Sequence, residues 1–222
     1  MKVTRLGQAG LRIDTPDAKI LVDPYFTDSA FEISGVHRKK EAPDWVWDIK
    51  PDILLVTHDH IDHYDPETAK RFVNENTAVT VLSPRSVWEK IKLCGGNNNF
   101  VLVSPGVRWS CGGTAVTALS AVHSDPFAVG FAISAEGKTV CITGDTLFSE
   151  AIGYPFESAD YMFLPINGRG NNMNASDAAA LAEKYKVKRA VPVHYGMLDS
   201  VAPDIFEYAG KYVMEDFREY EI

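Results

Sequence analysis

The stretch Thr57-His58-Asp59-His60-Ile61-Asp62-His63-Tyr64-Asp65 packs three of the chain's six histidines into six residues, with Asp62 between the last two. Ile53-Leu54-Leu55-Val56, just before it, is too short for a helix and reads as a buried strand that delivers the motif onto a loop. Extended backbone sends alternate side chains the same way, so His58 and His60 should converge on one point. Asp65 and Pro66 look like the N-cap and first position of a helix, which leaves Asp62 and His63 in the turn, free to swing toward a second point. Two imidazoles aimed at one locus, with a carboxylate and a third imidazole beside it, suit a pair of divalent metals. A merely solvated polar loop is the weaker reading, because an uncompensated histidine cluster brings no folding benefit.

Four ligands leave a two-metal site incomplete. Three further candidates each follow a strand-like run: His123 after 115–122, Asp145 after 138–144, and His194 after 189–193. Strand ends are where α/β folds put chemistry, since the sheet holds the loops rigidly. His-x-His-x-Asp-His followed by a lone His, a lone Asp and a lone His resembles the metallo-β-lactamase superfamily over nearly the whole chain. Leu6-Gly7-Gln8-Ala9-Gly10, Asn167-Gly168-Arg169-Gly170 and Pro192-Val193-His194-Tyr195 look like the branch that contains L-ascorbate-6-phosphate lactonase, a set of cytoplasmic bacterial hydrolases.

The resemblance implies a division of labour. His58, His60 and His123 hold one metal as a three-imidazole site with an open position; Asp62, His63 and His194 hold the second; Asp145 bridges. A hydroxide between the ions is the nucleophile, which makes Asp62 and Asp145 catalytic as well as ligating. All donors are nitrogen or oxygen, which suits zinc or manganese and would serve iron too. In such a family Asp23 supports the histidine loop from behind, and the segment around Trp45 and Trp47 lies near the mouth of the site. Arg169 is the best anchor for an anionic group, with Asn167 beside it in the substrate-binding set. Tyr195, adjacent to a ligand, could donate to an oxyanion or leaving group, or simply pack. Met173 reads as core.

The expected function is therefore a metal-dependent hydrolase of a lactone or phosphoester bond in a small anionic metabolite. Three other readings use the same fold: a mono-iron oxygenase or redox protein, an RNA-processing nuclease, and a non-catalytic binding protein. His60 stands against the di-iron redox branch, which resembles this motif but has a carboxylate there. No proposed ligand is missing, which stands against mere binding. The net charge of −8 argues against nucleic acid as a partner, although only the local field decides whether an anionic substrate binds. No apolar run is long enough to cross a membrane, the start lacks the layout of a signal peptide, and Cys94, Cys111 and Cys141 read as free thiols in a reducing cytoplasm. A homo-oligomer is left open.

At 222 residues and 45% hydrophobic content the chain suffices for one buried core, taken as a single domain over 1–222. Short strands open it at 2–6, 10–14 and 19–23. Helices are expected over 66–76, from Ser83-Pro84, from Asn174 with Asp177 as a capping pair, and from Pro203, the last carrying Ile205, Tyr208, Ala209, Tyr212 and Val213. Residues 25–50 show no period; within them Arg38, Lys39 and Lys40 form the one basic run and His37 reads as a surface residue. Strands and helices segregated in this way fit an α+β, four-layer αββα sandwich, the fold that the resemblance also implies.

Overall fold

The structure is a computed structural model and describes residues 1–150 and 152–222. In chain order the strands are β1 (Lys2–Arg5), β2 (Leu11–Asp14), β3 (Lys19–Val22), β4 (Ile53–Leu55), β5 (Thr80–Ser83), β6 (Asn99–Leu102) and β7 (Arg108–Cys111). They continue as β8 (Thr114–Ser120), β9 (Val129–Ala135), β10 (Lys138–Ile142), β11 (Tyr161–Pro165), β12 (Arg189–Val193) and β13 (Glu219–Glu221). The α-helices are α1 (Ala30–Ser34), α2 (Pro66–Phe72), α3 (Arg85–Ile91) and α4 (Ala175–Lys184). One sheet runs β13-β1-β2-β3-β4-β5-β6, antiparallel up to β3 and parallel from there; the other runs β12-β11-β10-β9-β8-β7, with β10, β11 and β12 parallel.

The two-residue period of a strand builds the layers. In β3 and β4, Ile20, Val22, Ile53 and Leu55 point between the sheets, while Leu21 and Leu54 point outward. In β10 and β11, Val140, Ile142 and Phe163 point inward and Cys141, Met162 and Leu164 outward. Strands apolar on both faces need a cover on each outer face. Ala69, Phe72, Val87 and Ile91 of α2 and α3 cover the first sheet; Ala178, Leu181 and Ala182 of α4 cover the second. The result is the four-layer αββα sandwich expected from the sequence. Both expected caps form: Asp65 accepts from Glu67 N, and Asn174 from Asp177 N.

The expected last helix does not form. Pro203–Ile205 is a single tight turn, and the chain beyond it lies extended against β12, with Ala190 N donating to Gly210 O at 2.9 Å and Tyr212 N to Ala190 O at 2.8 Å. Tyr208 and Tyr212, four apart, imitate one helical face. In fact Tyr208 packs on the cluster outside the second sheet and Tyr212 on the core between the sheets. The segment shields the edge of β12 and returns as β13, which pairs with β1. α2 stops at Phe72, short of 76, and the unpatterned stretch 25–50 contains α1 and a 3₁₀ turn at Asp44–Asp48.

Candidate metal centre

All the ligand-bearing loops leave the same end of the two sheets. Asp23, in the turn after β3, takes a left-handed backbone (φ 41°) that aims its carboxylate at the neighbouring β4 loop. Its Oδ1 accepts from Thr57 N at 2.8 Å, and its Oδ2 accepts from Thr57 Oγ1 at 2.6 Å and faces His63 Nδ1 at 2.9 Å. His63 N and Tyr64 N both donate to His60 O, closing the turn that reverses the motif. Thr57 O in turn accepts from Val129 N of the other sheet at 3.0 Å, tying the two strand ends together.

Seven side chains gather there as two groups. His58, His60 and His123 set their rings 4.6–4.8 Å apart, edge to face. His123 Nδ1 donates to Asn171 O at 3.2 Å, which leaves its Nε2 facing His60 Nδ1 at 3.2 Å. Asp62, His63 and His194 form the second group. Asp145 faces both: its oxygens lie 4.0 Å from His58 Nε2, 3.3 Å from His63 Nε2 and 3.1 Å from His194 Nε2. The donor set fits divalent cations on an observation of its own, since His58 Nε2, His63 Nε2 and Asp145 Oδ1 are buried and make no hydrogen bond. Buried polar atoms seldom stay unpartnered, and these three are of the types that ligate metals.

The electrostatics agree with that fit. Burial works against charge on His63 and His194, yet Asp145 and Asp62 outweigh it, lifting His63 well above its ordinary value and His194 to about 10. Burial likewise opposes ionisation of Asp62 and Asp145, and the histidines beside them win, holding both carboxylates below the usual range. Positive charge is therefore favoured at the second group. At the first, burial and the neighbouring imidazoles hold His58 well below its usual value and lower His123, which favours the neutral ring that binds metal.

Other residues could not be singled out in the sequence. Gln8 is buried, also left-handed (φ 46°), and its Nε2 donates to Asp62 Oδ2 at 2.8 Å while lying 3.1 and 3.3 Å from the ring nitrogens of His194. The backbone carbonyl of Gln8 accepts from His194 N at 2.9 Å, and His194 is itself left-handed (φ 56°). Buried Asn172 donates from Nδ2 to Asp145 Oδ2 at 2.8 Å. A single buried carboxamide has no spacing to betray it; Gln8 only carried the hint of a Gly-rich turn around it.

Arg169 and Asn167 line a cleft of ≈ 230 Å³ with Gln8, His60, Asp62 and Asp145. The Arg169 guanidinium is exposed and makes no ion pair among the described residues, whereas the Asn167 carboxamide nitrogen sits 3.0 Å from His194 Nδ1. Larger hollows, of ≈ 570, ≈ 680, ≈ 320 and ≈ 390 Å³, lie away from the ligands. Tyr195 does not join the site. Its buried hydroxyl accepts from Arg5 Nη1 at 2.6 Å and its ring lies 4.1 Å under the same guanidinium, which also pairs with Asp216. Successive side chains diverge at the left-handed turn, so a neighbour of a ligand is turned into the wall. The catalytic role expected of Tyr195 is corrected to packing.

The basic run forms a strap across neighbouring loops. Arg38 donates to Tyr25 O, Lys39 Nζ to Asp199 O at 2.5 Å and Ser200 Oγ at 2.9 Å, and Lys40 pairs with Asp216 at 2.8 Å. Trp47 packs on Phe26 and Phe72, and Trp45 on Phe217, so neither forms the mouth of the cleft. His37 stacks on Phe31 and bonds Asp28 at the surface.

Comparison with known proteins agrees with this geometry. A beta-lactamase superfamily domain matches residues 18–195. A "UPF0173 metal-dependent hydrolase" of Geobacillus thermodenitrificans is 32% identical, with 92% of this chain and 89% of that protein covered. Among solved structures, a metallo hydrolase from the archaeon Ignicoccus hospitalis superposes with a TM-score of 0.78 at 22% identity, covering 100% of this chain and 98% of that one. A possible metal-dependent hydrolase of Veillonella parvula gives a TM-score of 0.79 at 16% identity, covering 100% and 99%. These structures share the fold; the sequence relative and the matched domain carry the assignment. The chain belongs to the β-lactamase superfamily, among its metal-dependent hydrolases.

Proposed function

We propose that this hydrolase cleaves a lactone or phosphoester bond in a small anionic metabolite, using two divalent ions, zinc or manganese, on the seven gathered ligands. The observation that carries the reading is the Arg169 guanidinium, exposed and without an ion pair among the described residues, on the rim of the cleft that the ligand groups floor. An exposed guanidinium beside a strongly cation-binding centre suits a substrate with a carboxylate or phosphate, because its two-pronged donors match either group. A cleft of ≈ 230 Å³ suits a metabolite rather than a polymer. When bound, the ions would activate a water and polarise the oxygen of the scissile bond. Asp62 and Asp145 stay ionised to hold them, each fixed by a carboxamide, Gln8 and Asn172.

Protein purified without chelator should carry two ions per chain by elemental analysis and hydrolyse members of a small panel of anionic lactones and phosphodiesters. A chelator should abolish the activity, and zinc or manganese should restore it. Iron alone, with oxygen consumption and no hydrolysis, would overturn the reading in favour of oxidative chemistry on the same ligands.

A further inference from the structure

Three of the seven ligands lie outside the contiguous motif, each after a different strand: His123 after β8, Asp145 after β10, His194 after β12. A strand end fixes where a backbone emerges but not how an imidazole or carboxylate is turned. One loop touches all three. Leaving β11, which lies between β10 and β12 in the sheet, it brings Asn171 O to His123 Nδ1, Asn172 Nδ2 to Asp145 Oδ2, and the Asn167 carboxamide to His194 Nδ1, at 3.2, 2.8 and 3.0 Å. The loop is itself braced, with Gly168 N donating to Met173 O and Met173 N to Thr146 O.

We infer that Asn172 and Asn167 are positioning residues for metal loading with opposite hydrogen-bonding duties: Asn172 must donate to Asp145, and Asn167 must accept from His194. A carboxylate only accepts, so the Asn172 amide must present its NH₂, and its carbonyl oxygen is left buried without a partner. His194 turns Nε2 toward Asp62 and Asp145, 3.1 Å from an oxygen of each, so a cation shared with them takes Nε2. A neutral imidazole keeps one proton, which must then sit on Nδ1, facing Asn167. The Asn167 oxygen accepts a long bond from Arg169 N at 3.4 Å; turning the amide end for end gives up that contact and brings the oxygen to the Nδ1 proton with no change of shape. The inference rests on reading the cluster as a metal centre.

Isosteric carboxylates separate the two duties. Asn172→Asp removes the donor and sets a second anion against Asp145; Asn167→Asp supplies an acceptor at His194. Zinc affinity would be measured by competition with a chromophoric chelator, and ligand geometry from the visible absorption of the cobalt form. Asn172→Asp should bind about 10–100-fold more weakly with an altered cobalt spectrum, the size usual for losing such a partner. Asn167→Asp should bind as wild type or tighter, while Asn167→Leu should lose about 10-fold or more. Circular dichroism of the metal-free proteins checks folding, and Asn172→Ala, which adds no charge, should show the same loss if Asn172→Asp does not fold. Equal behaviour of the two aspartate variants, with wild type loading normally, overturns the inference alone. Wild type that takes up neither zinc nor cobalt overturns it together with the metal reading.

Discussion

At Asp23 a single buried carboxylate accepts from the backbone and hydroxyl of Thr57 and faces His63 Nδ1, on a left-handed backbone. Replacing it with alanine removes the partner that fixes the ring of His63 and the lip of the β4 loop. Metal affinity should fall about 10–100-fold. An unchanged zinc titration in Asp23→Ala would reduce the residue to a turn former. Arg169 is the opposite case, its side chain making no ion pair among the described residues. Arg169→Ala should raise KM for an anionic substrate about 10–100-fold, from a charge-assisted bond of roughly 1.5–3 kcal/mol, with metal content unchanged. Arg169→Lys should recover only part, because an ammonium lacks the fork. Equal loss on charged and neutral substrates would mean that Arg169 holds its loop.

At the scale of elements, the strand ends of the two sheets abut at Gly144 and Thr57. Gly144 has φ 62°, and a Cβ there would lie 2.9 Å from Val129 O and 3.0 Å from the Thr57 side chain. Gly137, in the turn from β9 to β10, has φ 72° and open space around it. Gly144→Ala should therefore cost more than Gly137→Ala, which bears backbone strain alone at about 1 kcal/mol. Only the first should also loosen metal binding, because Asp145 is the next residue. Comparable urea midpoints and zinc titrations in the two variants would refute the close approach. The elements themselves were legible wherever their pattern was local: β3, β4, β10 and β12 are short apolar runs, and two helices announce themselves by caps. The segment after Pro203 misled because its tyrosines serve opposite sides of a sheet, a fact set by the partner strand and not by spacing. The contiguous histidine motif was legible for the same reason that Gln8 and Asn172 were not: it concentrates one chemistry, whereas they act singly, from loops that meet only in the fold.

For the whole molecule, the buried acids set a limit at high pH. Burial pushes Tyr25 and Tyr64 up to about 12, and raises Tyr154 and Cys141 well above their ordinary values. In the unfolded chain these groups lose protons near pH 10 for tyrosine and about 8.5 for cysteine. Above those values the unfolded state binds fewer protons than the folded one, so stability falls as pH rises, by up to about 1.4 kcal/mol per pH unit for each group. His63 and His194, raised in the fold, already draw stability down above the ordinary histidine value of about 6.5, so urea midpoints of the metal-free protein should fall from pH 7 and fall further toward pH 11, with a shallower final decline in Tyr64→Phe. A midpoint independent of pH would contradict the burial of these groups.

The ligands come from both sheets, His58, His60, Asp62 and His63 from one and His123, Asp145 and His194 from the other. Metal held among them would act as a rivet through the sandwich, and a rivet strengthens everything it joins. Free metal at 1,000 times its dissociation constant would add about 4 kcal/mol to the folded state, comparable with the whole stability of a marginal domain. The melting temperature should climb with added zinc long after activity has saturated, and the metal-free chain should be the form that proteases find. In a cell, the amount of this protein would then follow the supply of its metal, rationed by turnover rather than by synthesis.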